Sequence, residues 1–286
     1  MPRLRVHIRA LSKPRPRQRA AKPGLFLAGI LVASPVTAHA DDLSVLFDRD
    51  TVFSVGGFTG LGPRFQGSRE AGLWGLPYLS FRKADEPRDW WSPDDGLDAT
   101  LLGGGPVQVG AVLDFREGRS RTDDHRLAGL PRLPATVGLG LFGEVWPIPD
   151  TLRLRAEVTQ GVRARDGIVA KLGADLVGRF GRFTLSAGPR FVVGDAAAMH
   201  LDFDVPVAAA LVNPSLAPYR ASAGARSAGA TATVSYDWSE AWQGLGYVRY
   251  DRLIVSAANS PIVRRIGTVN ELTVAIGAIY SFRMTP

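Results

Sequence analysis

The stretch "TLRLRAEVT", residues 151–159, narrows the fold to two alternatives. Apolar and charged side chains alternate along it, with Leu152, Leu154, Ala156 and Val158 on one face and Arg153, Arg155 and Glu157 on the other. A period of two is typical of a β-strand with one oily and one charged face. In a soluble sandwich the charges face water, whereas in an outer-membrane barrel the leucines face lipid and the charges face the lumen. The rest of the chain has to distinguish these alternatives.

Alternation of the same kind recurs along the chain. The clearest further segments are 136–146, 167–177, 182–191, 231–238 and 273–282, and weaker ones are 51–60, 73–82, 97–103, 106–115, 199–212, 219–229 and 242–254. Most are longer than the roughly 5–6 residues typical of soluble strands and match the roughly 9–11 residues of a tilted membrane-spanning strand. We predict an all-β fold, a closed antiparallel transmembrane β-barrel of about 12 strands, with a soluble periplasmic sandwich as the alternative.

Aromatic side chains near predicted strand ends favour the barrel over the sandwich. Tyr236, Trp238, Tyr250, Tyr280 and Phe282 occupy these positions. Membrane barrels carry girdles of aromatic residues at both lipid–water interfaces. Two adjacent tryptophans, Trp90 and Trp91, lie between predicted strands and are interpreted as an exposed protein contact or as an interface anchor.

The basic charge of the chain is confined to its first 40 residues. The pI is about 10.1, but residues 1–40 contain eight Lys or Arg and no acid, and the remainder has 26 basic against 27 acidic residues. We therefore expect no nucleic-acid partner, which would require basic residues on the folded domain. The basic start, the apolar run Leu25–Val36 and the sequence Ala38-His39-Ala40 predict a cleaved secretory signal peptide over 1–40, followed by a barrel domain over 41–286.

The charged faces of the predicted strands point to the lumen. The charges expected there are Arg153, Arg155, Glu157, Lys171 and Asp175, and further candidates are Arg182, Arg190, Asp237, Arg249 and Asp251. Buried charges need partners, so a lumen filled by paired side chains is the first interpretation, and a narrow polar pore is the alternative.

The strand count conflicts with the usual layout of such barrels. With both chain ends in the periplasm, counting places the tight turn "PIPD" (147–150) outside and the long segments 83–96 and 116–134 inside. Bacterial barrels show short periplasmic turns and long extracellular loops.

No catalytic, cofactor or metal site is predicted. His125 lies beside Asp123 and Asp124 with Ser120 nearby, which is weak evidence for a catalytic triad. His200 with Asp202 and Asp204 has too few oxygen ligands for a hard metal ion. The stretch "GLGLFG" (138–143) matches a dinucleotide-binding pattern, but it lies inside a strand with no helix after it. A lipid hydrolase using His125 as its base is kept as a third hypothesis.

Four stretches in order resemble the MipA/OmpV family of outer-membrane proteins, the MltA-interacting proteins. They are "GLGPRFQGS" (60–68), "GRSRTDDHRLAGLPRLPATVGLG" (118–140), "YDRLIVSAANSPIVRR" (250–265) and "AIYSF" (278–282). The matching positions include Pro63, Phe65, Gly67, Ser68, Gly118, Arg119, Leu127, Gly129, Leu130, Ser260 and Pro261. Asp204 stands where the family tends to have glycine.

The resemblance implies an outer-membrane scaffold without enzymatic activity or cofactor. Its implied partners are a murein hydrolase (a lytic transglycosylase) and a murein synthase (a penicillin-binding protein), besides outer-membrane lipid. Since a terminal aromatic is the usual signal for the barrel-assembly machinery, Phe282 is the expected contact during biogenesis. A narrow pore for small polar solutes and an adhesin are the alternative functions.

Overall fold

The computed structural model describes residues 50–85, 88, 90–163 and 165–284. The predicted signal peptide therefore lies outside the described residues. Eleven strands make up one sheet: β1 Thr51–Pro63, β2 Ala71–Lys83, β3 Leu97–Gly104, β4 Val107–Arg116, β5 Thr136–Ile148, β6 Leu152–Gly161, β7 Ile168–Phe180, β8 Phe183–Gly194, β9 Gly224–Asp237, β10 Trp242–Leu253 and β11 Asn270–Met284.

The strands are long and every described ladder between them is antiparallel. Their order across the sheet is β2-β1-β11-β10-β9-β8-β7-β6-β5-β4-β3, so the first strand pairs with the last and β2 and β3 are the two edges. The all-β antiparallel prediction is confirmed. The described residues include no ladder between β2 and β3, and they hold eleven strands where about 12 were expected.

Of the thirteen alternating segments named in the sequence, two do not form separate strands. Segments 219–229 and 231–238 belong largely to the single strand β9. Segment 199–212 was wrongly predicted as a strand and instead contains helices α1 (Ala196–Phe203) and α2 (Val207–Val212). Asp195 caps α1 by accepting a hydrogen bond from the Ala198 backbone, and the alanine run that follows is a strong helix former.

The two faces of the strands differ in the way that a membrane barrel requires. On β6, Leu154 and Val158 are 40% and 50% exposed, whereas Arg153 and Glu157 are 1% and 3% exposed. Leu139, Leu141, Leu172 and Leu176 on the neighbouring strands are exposed in the same way. The leucines of the opening stretch therefore lie on the outer surface and its charges on the concave, inner surface.

The connection from β2 to β3 resolves the conflict in the strand count. Because β1 and β11 are antiparallel and all other described pairs alternate, β2 and β3 must run in the same direction. Residues 84–96 therefore connect opposite ends of the sheet instead of turning back at one end. This lengthwise connection, here called the lumen segment, takes the place of a strand and restores the alternation of turns.

All tight turns consequently share one end of the sheet. The connections 105–106, 149–151, 181–182 and 238–241 lie at the end where β1 begins and β11 finishes. At the opposite end lie 64–70, 117–135, 162–167, 195–223 and 254–269, which contain α1, α2, the short helix α3 (Val255–Asn259) and two helical turns, His125–Leu127 and Ile262–Ile266. None of the helices in the described ranges has the length and hydropathy to cross a membrane.

Candidate functional site

The described residues of the lumen segment contact the inner face of the sheet at several points. Arg88 contacts Asp237 on β9 and Ser281 on β11, near the end with the tight turns. Further along, Ser92 and Asp94 contact β8, and the Gly96 backbone N–H donates to Glu157 of β6 over 3.3 Å. Because one segment contacts so many strands, the sheet is curled around it.

Arg153 is the most buried charged side chain in the interior. Its Nη2 lies 2.7 Å from Asp95 Oδ2 and 2.8 Å from Glu144 Oε2, and its Nη1 lies 3.3 Å from Asp175 Oδ2. The Trp90 ring stacks beneath the guanidinium, 5.0 Å from Cζ to the ring centroid. One cation on β6 therefore joins the lumen segment to strands β5 and β7.

A second junction lies at Asp94 of the lumen segment. Its Oδ2 accepts from Arg190 Nε over 2.6 Å and lies 3.3 Å from Arg249 Nη1. Arg190 also contacts Asp175 over 2.7 Å, which connects this junction to Arg153. Cations and carboxylates alternate between these two junctions, so each charge of the two junctions has a partner of opposite sign.

Aromatic and aliphatic side chains fill the other half of the interior. Trp91 stacks on Tyr78 with 4.8 Å between ring centroids and meets Phe58 edge-on at 5.3 Å. Leu245, Tyr247, Ala275 and Ile279 from β10 and β11 complete this cluster. The interpretation of Trp90 and Trp91 as exposed contacts or membrane anchors was wrong, because the lumen segment carries both rings inside the sheet.

Little open space remains between the lumen segment and the charged wall. The cavity there measures about 20 Å³ and is bounded by Asp94, Asp95, Arg155, Glu157, Lys171 and Arg190, among others. A volume of that size holds about one water molecule. Glu157 Oε2 lies in this region without a hydrogen-bond partner among the described atoms, so one water molecule would satisfy it.

Most of the predicted lumen charges lie on the inner face, and two lie at the end with the tight turns. Arg153, Arg155, Glu157, Asp175, Arg190 and Asp251 are buried on the inner face, and Lys171 and Arg249 are partly buried there. Arg182 is an exception, because it lies in the exposed turn between β7 and β8 and its Nη1 contacts the Trp238 carbonyl. Asp237 is 43% exposed at the same end.

The long connections pack into a cap over the other end of the barrel. Phe65, Leu127, Leu130 and Ile262 belong to one buried cluster together with Val205, Ala209, Leu216 and Ile266. A second cluster beside it contains Met199, Phe203, Ala221, Leu253, Ala257 and Val263. Side chains that lie up to 201 positions apart in the sequence thus form one apolar core.

The eleven named positions that match the family motifs lie in or beside this cap, whereas the stretch "AIYSF" (278–282) lies at the other end of β11. Ser260 is fully buried, and its Oγ donates to the Phe203 carbonyl over 2.7 Å. Arg119 donates to the Asp202 carbonyl. Gly67 has a φ of +85° and receives a hydrogen bond at its carbonyl from Thr268 N–H over 2.8 Å. Pro63 and Ser68 flank Phe65, Gly118 precedes Arg119, Gly129 precedes Leu130, and Pro261 begins the last helical turn.

The candidate triad around His125 is not assembled. The His125 side chain is 92% exposed, and its only described charged neighbour is Asp124 at 3.9 Å from Nδ1 to Oδ1. Ser120 Oγ donates to Asp123 instead, over 2.8 Å. Asp124 caps the adjacent helical turn, and the hydrogen bonds from Arg126 hold the pKa of its carboxyl below the usual value despite the opposing effect of burial.

The other two candidate patterns serve as structural elements of the described chain. His200 Nδ1 lies 3.1 Å from Asp204 Oδ1, which also accepts from the Ala221 backbone, while Asp202 pairs with Arg226 at 3.2 Å. In the described ranges, no three His, Asp or Glu side chains converge as metal ligands. The "GLGLFG" stretch lies inside β5, where an added Cβ at Gly140 would collide with the Val158 carbonyl of β6.

Sequence reasoning missed the two central carboxylates, Asp94 and Asp95. Their segment, "EPRDWWSPDD" (86–95), has no regular period and was treated as a long connection. The signal that pointed to it was the conflict in the strand count, because one lengthwise crossing between β2 and β3 removes that conflict.

Comparison with known families and structures gives one family match. The model of the MltA-interacting protein MipA family matches residues 55–282. No curated protein matches the chain in sequence.

Solved outer-membrane proteins are similar at low identity. An outer membrane channel from Pseudomonas putida F1 has 8% identity and a TM-score of 0.42, over 82% of this chain and 96% of that one. The outer membrane protein OprG from Pseudomonas aeruginosa has 10% identity and a TM-score of 0.25, over 82% and 97%. OmpT of Vibrio cholerae has 10% identity and a TM-score of 0.30, over 82% and 98%. Since none of these TM-scores reaches 0.5, the assignment depends on the family match.

Proposed function

The chain belongs to the MltA-interacting protein (MipA) family, and from that premise we propose that it is a non-conducting outer-membrane barrel that acts as a scaffold for murein-remodelling enzymes. The family name describes an interaction with MltA, and the expected partners are a murein hydrolase and a murein synthase. The observation that supports a scaffold over a pore is the lumen segment, which lies in the interior and leaves a cavity of about 20 Å³ between itself and the charged wall.

The orientation follows from the lengths of the connections. Short turns are periplasmic and long loops extracellular in bacterial barrels. The turns 105–106, 149–151, 181–182 and 238–241 and both ends of the described chain then face the periplasm, and the cap faces outward. A scaffold for murein enzymes has to present its docking surface at the periplasmic end, so the cap residues that match the family motifs are structural.

The periplasmic end offers a surface of mixed charge. Arg179 Nη1 and Asp150 Oδ1 form an exposed pair at 2.9 Å, and Arg182 and Glu240 lie exposed in neighbouring turns. Exposed pairs of this kind contribute little to stability, and are therefore available to a partner at small cost.

Closure of the wall is part of this proposal. An open strand edge is costly in lipid because its backbone groups lack partners. Since β2 and β3 run in the same direction, closure requires one parallel contact in an otherwise antiparallel wall. We propose that the two edges meet in the membrane around the lumen segment, after export directed by residues 1–40 and insertion by the barrel-assembly machinery.

In-cell cross-linking tests the scaffold. A photoreactive amino acid is placed at Gly105, Asp150, Gly181 or Glu240 in the periplasmic turns, and at Arg121 or Leu211 in the cap as matched controls. We expect a lytic transglycosylase or a penicillin-binding protein to be recovered by mass spectrometry from the first set only. Recovery of neither enzyme from the periplasmic positions would exclude the scaffold, and steady single-channel conductance of the purified protein would then favour the pore.

A further inference from the structure

At the extracellular end of β10 and β11, the outward side chains change from apolar to aromatic to polar over three successive residue pairs. Val248 pairs with Val274, Tyr250 with Leu272, and Arg252 with Asn270, all on the outward face. Tyr250 is 44% and Leu272 59% exposed. The apolar band therefore ends at an aromatic residue, and a cationic one follows, which is the order of acyl chains, interface and headgroups in a membrane.

Arg252 is one of five exposed arginines that meet at this part of the rim. The others are Arg64 and Arg69 in the β1–β2 loop and Arg264 and Arg265 in the β10–β11 loop. The two loops are hydrogen-bonded to each other, with Arg69 Nε donating to the Gly267 carbonyl and Thr268 N–H donating to the Gly67 carbonyl. The five arginines thus come from adjacent pieces of chain.

The charge of this rim is not neutralised by the protein. Across loops 64–70 and 261–269, together with Arg252, the only acidic residue is Glu70. In the described part of the chain none of the five arginines forms an ion pair with a carboxylate, in contrast to Arg126, Arg163 and Arg226 elsewhere in the cap. Arg252 Nη1 and Tyr250 Oη both donate to Asn270 Oδ1, over 2.9 Å and 2.8 Å, so the side chains nearest the lipid are held in place.

Other strand ends on the same side differ from those of β10 and β11. On β4 and β7 the outward positions closest to the loops are the apolar Phe115 and Ile168, and the exposed Val162 follows β6. At the periplasmic end the outward positions are a girdle of aromatics, in which Trp242 packs on Tyr280 at 4.9 Å and Tyr280 on Phe282 at 6.0 Å. The outward ends of β10 and β11 therefore differ from those of β4 and β7 and from the opposite end of the sheet.

We propose that this sector, formed by Arg64, Arg69, Arg252, Arg264 and Arg265, binds the phosphate groups of a phosphorylated glycolipid in the outer leaflet, of the lipid A class. Guanidinium groups recognise phosphate through paired, charge-assisted hydrogen bonds. The exposed leucine and valine side chains beneath the arginines contact the acyl chains of the same molecule. The inference depends on the proposed outer-membrane orientation and adds a lipid site on the side opposite to the enzyme-docking end.

The experiment measures lipid binding to the full, folded protein in detergent micelles by native mass spectrometry. The probes are diphosphorylated lipid A, the same lipid enzymatically dephosphorylated, and inorganic phosphate alone. We expect diphosphorylated lipid A to bind at least about tenfold more tightly than the dephosphorylated form. The reason is that the loss of one charge-assisted hydrogen bond weakens binding by about a factor of ten or more. Equal binding of the two lipids would overturn the proposal.

Variants locate the site on the protein. The triple substitution Arg252→Ala, Arg264→Ala and Arg265→Ala is expected to weaken lipid A binding about tenfold or more. The matched control, Arg179→Ala, Arg182→Ala and Arg283→Ala, removes three arginines at the periplasmic end and should leave binding within about twofold. The heat-modifiable gel mobility of both variants verifies the fold.

The remaining outcomes are equally decisive. Equal binding by the triple variant and the control would overturn the assignment to this rim. Loss of inorganic phosphate binding in the triple variant, with lipid A binding unchanged, would show a site for free phosphate and overturn the lipid assignment. Loss of lipid binding in the triple variant, with enzyme cross-linking at the periplasmic turns unchanged, would support the lipid site and leave the scaffold proposal unaffected. The lipid proposal and the scaffold proposal can therefore be refuted independently.

Discussion

Arg153 Nη2 lies 2.7 Å from Asp95 Oδ2, which joins the wall of the barrel to a segment 58 residues earlier in the chain. The guanidinium is 1% exposed and is the largest fully buried side chain of the described residues. Its partners come from β5, β7 and the lumen segment, so this one side chain ties that segment to two neighbouring strands.

Replacing Arg153 with Met is expected to destabilise the protein strongly. The substitution keeps much of the side-chain volume but leaves Asp95, Glu144 and Asp175 facing one another without the cation. Breaking a buried ion pair on one side costs about 3–5 kcal/mol. Urea unfolding in detergent micelles, followed by tryptophan fluorescence, measures the loss.

The control for this substitution is Arg182→Met in the exposed turn 181–182. A surface change of that kind stays within about 0.5 kcal/mol of wild type. Similar losses for the two variants would mean that the interior network does not hold the fold together.

Replacing residues 90–95 with a Gly/Ser sequence of equal length is expected to open the lumen. The change removes Trp90, Trp91, Asp94 and Asp95, which fill the space between the two halves of the wall. Planar bilayer recordings should show defined conductance steps for the variant and none for wild type. The same replacement at residues 120–125 of the cap leaves the lumen segment in place and should remain silent. Wild-type steps as large as those of the variant would contradict a filled lumen.

Much of the wall could be predicted from the sequence, because alternation of apolar and charged residues indicates both that a segment is a strand and which side chains share a face. Arg153 and Leu154 point to opposite sides in any strand, and only a barrel in lipid makes the leucine side the exposed one. Alternation is misleading at residues 199–205, where "MHLDFDV" has a period of two but its first five residues belong to helix α1. A helix forms there because Asp195 caps its N-terminus and its first three residues are alanines.

The lumen segment and the cap could not be predicted for a different reason. Asp95 and Arg153 form a tertiary contact, and the sequence around each residue does not indicate which residue it pairs with. The cap similarly joins Phe65, Leu127 and Ile262 from three distant loops. The family resemblance indicated these positions, but not that they pack together.

Phe65→Ala is expected to loosen the cap while leaving the barrel wall intact. Phe65 is 2% exposed and packs against Leu127 and Ile262. Truncating a buried phenylalanine costs about 3–5 kcal/mol. Hydrogen exchange should increase in residues 64–70, 125–130 and 262–266, while β5 to β8 remain protected. Phe115→Ala, at an outward position that is 58% exposed, is the matched control and should change none of these regions. Uniform protection in Phe65→Ala would disprove the shared core.

The cap is expected to loosen in acid because of Asp124. Arg126 donates to its carboxylate, with 2.6 Å between Nη2 and Oδ2, and this hydrogen bond outweighs burial and lowers the pKa of the carboxyl. A folded-state pKa below the unfolded value stabilises the fold above the unfolded pKa, and that contribution disappears as the pH falls through the folded pKa. The methyl NMR signals of Leu127 and Leu130 should therefore shift as the pH falls below the ordinary pKa of an aspartate carboxyl. Asp124→Asn removes the titrating group, and an unchanged acid transition in that variant would assign it to other carboxyls.

Gly129→Ala tests the contact between the 117–135 loop and α2. Gly129 has a φ of +87°, a conformation that costs an alanine about 1–2 kcal/mol, and its added Cβ would lie 2.9 Å from the Ala209 carbonyl oxygen and 3.1 Å from Val212 Cβ. Gly105→Ala separates the two effects, because Gly105 has a φ of +67° and nothing within 4 Å of an added Cβ. Both variants are destabilised by the positive φ, but only in Gly129→Ala does the added Cβ also have to displace the backbone of α2. We therefore expect a larger loss of unfolding free energy for Gly129→Ala, together with faster hydrogen exchange in residues 207–212. Equal losses for the two variants would mean that α2 does not rest on Gly129.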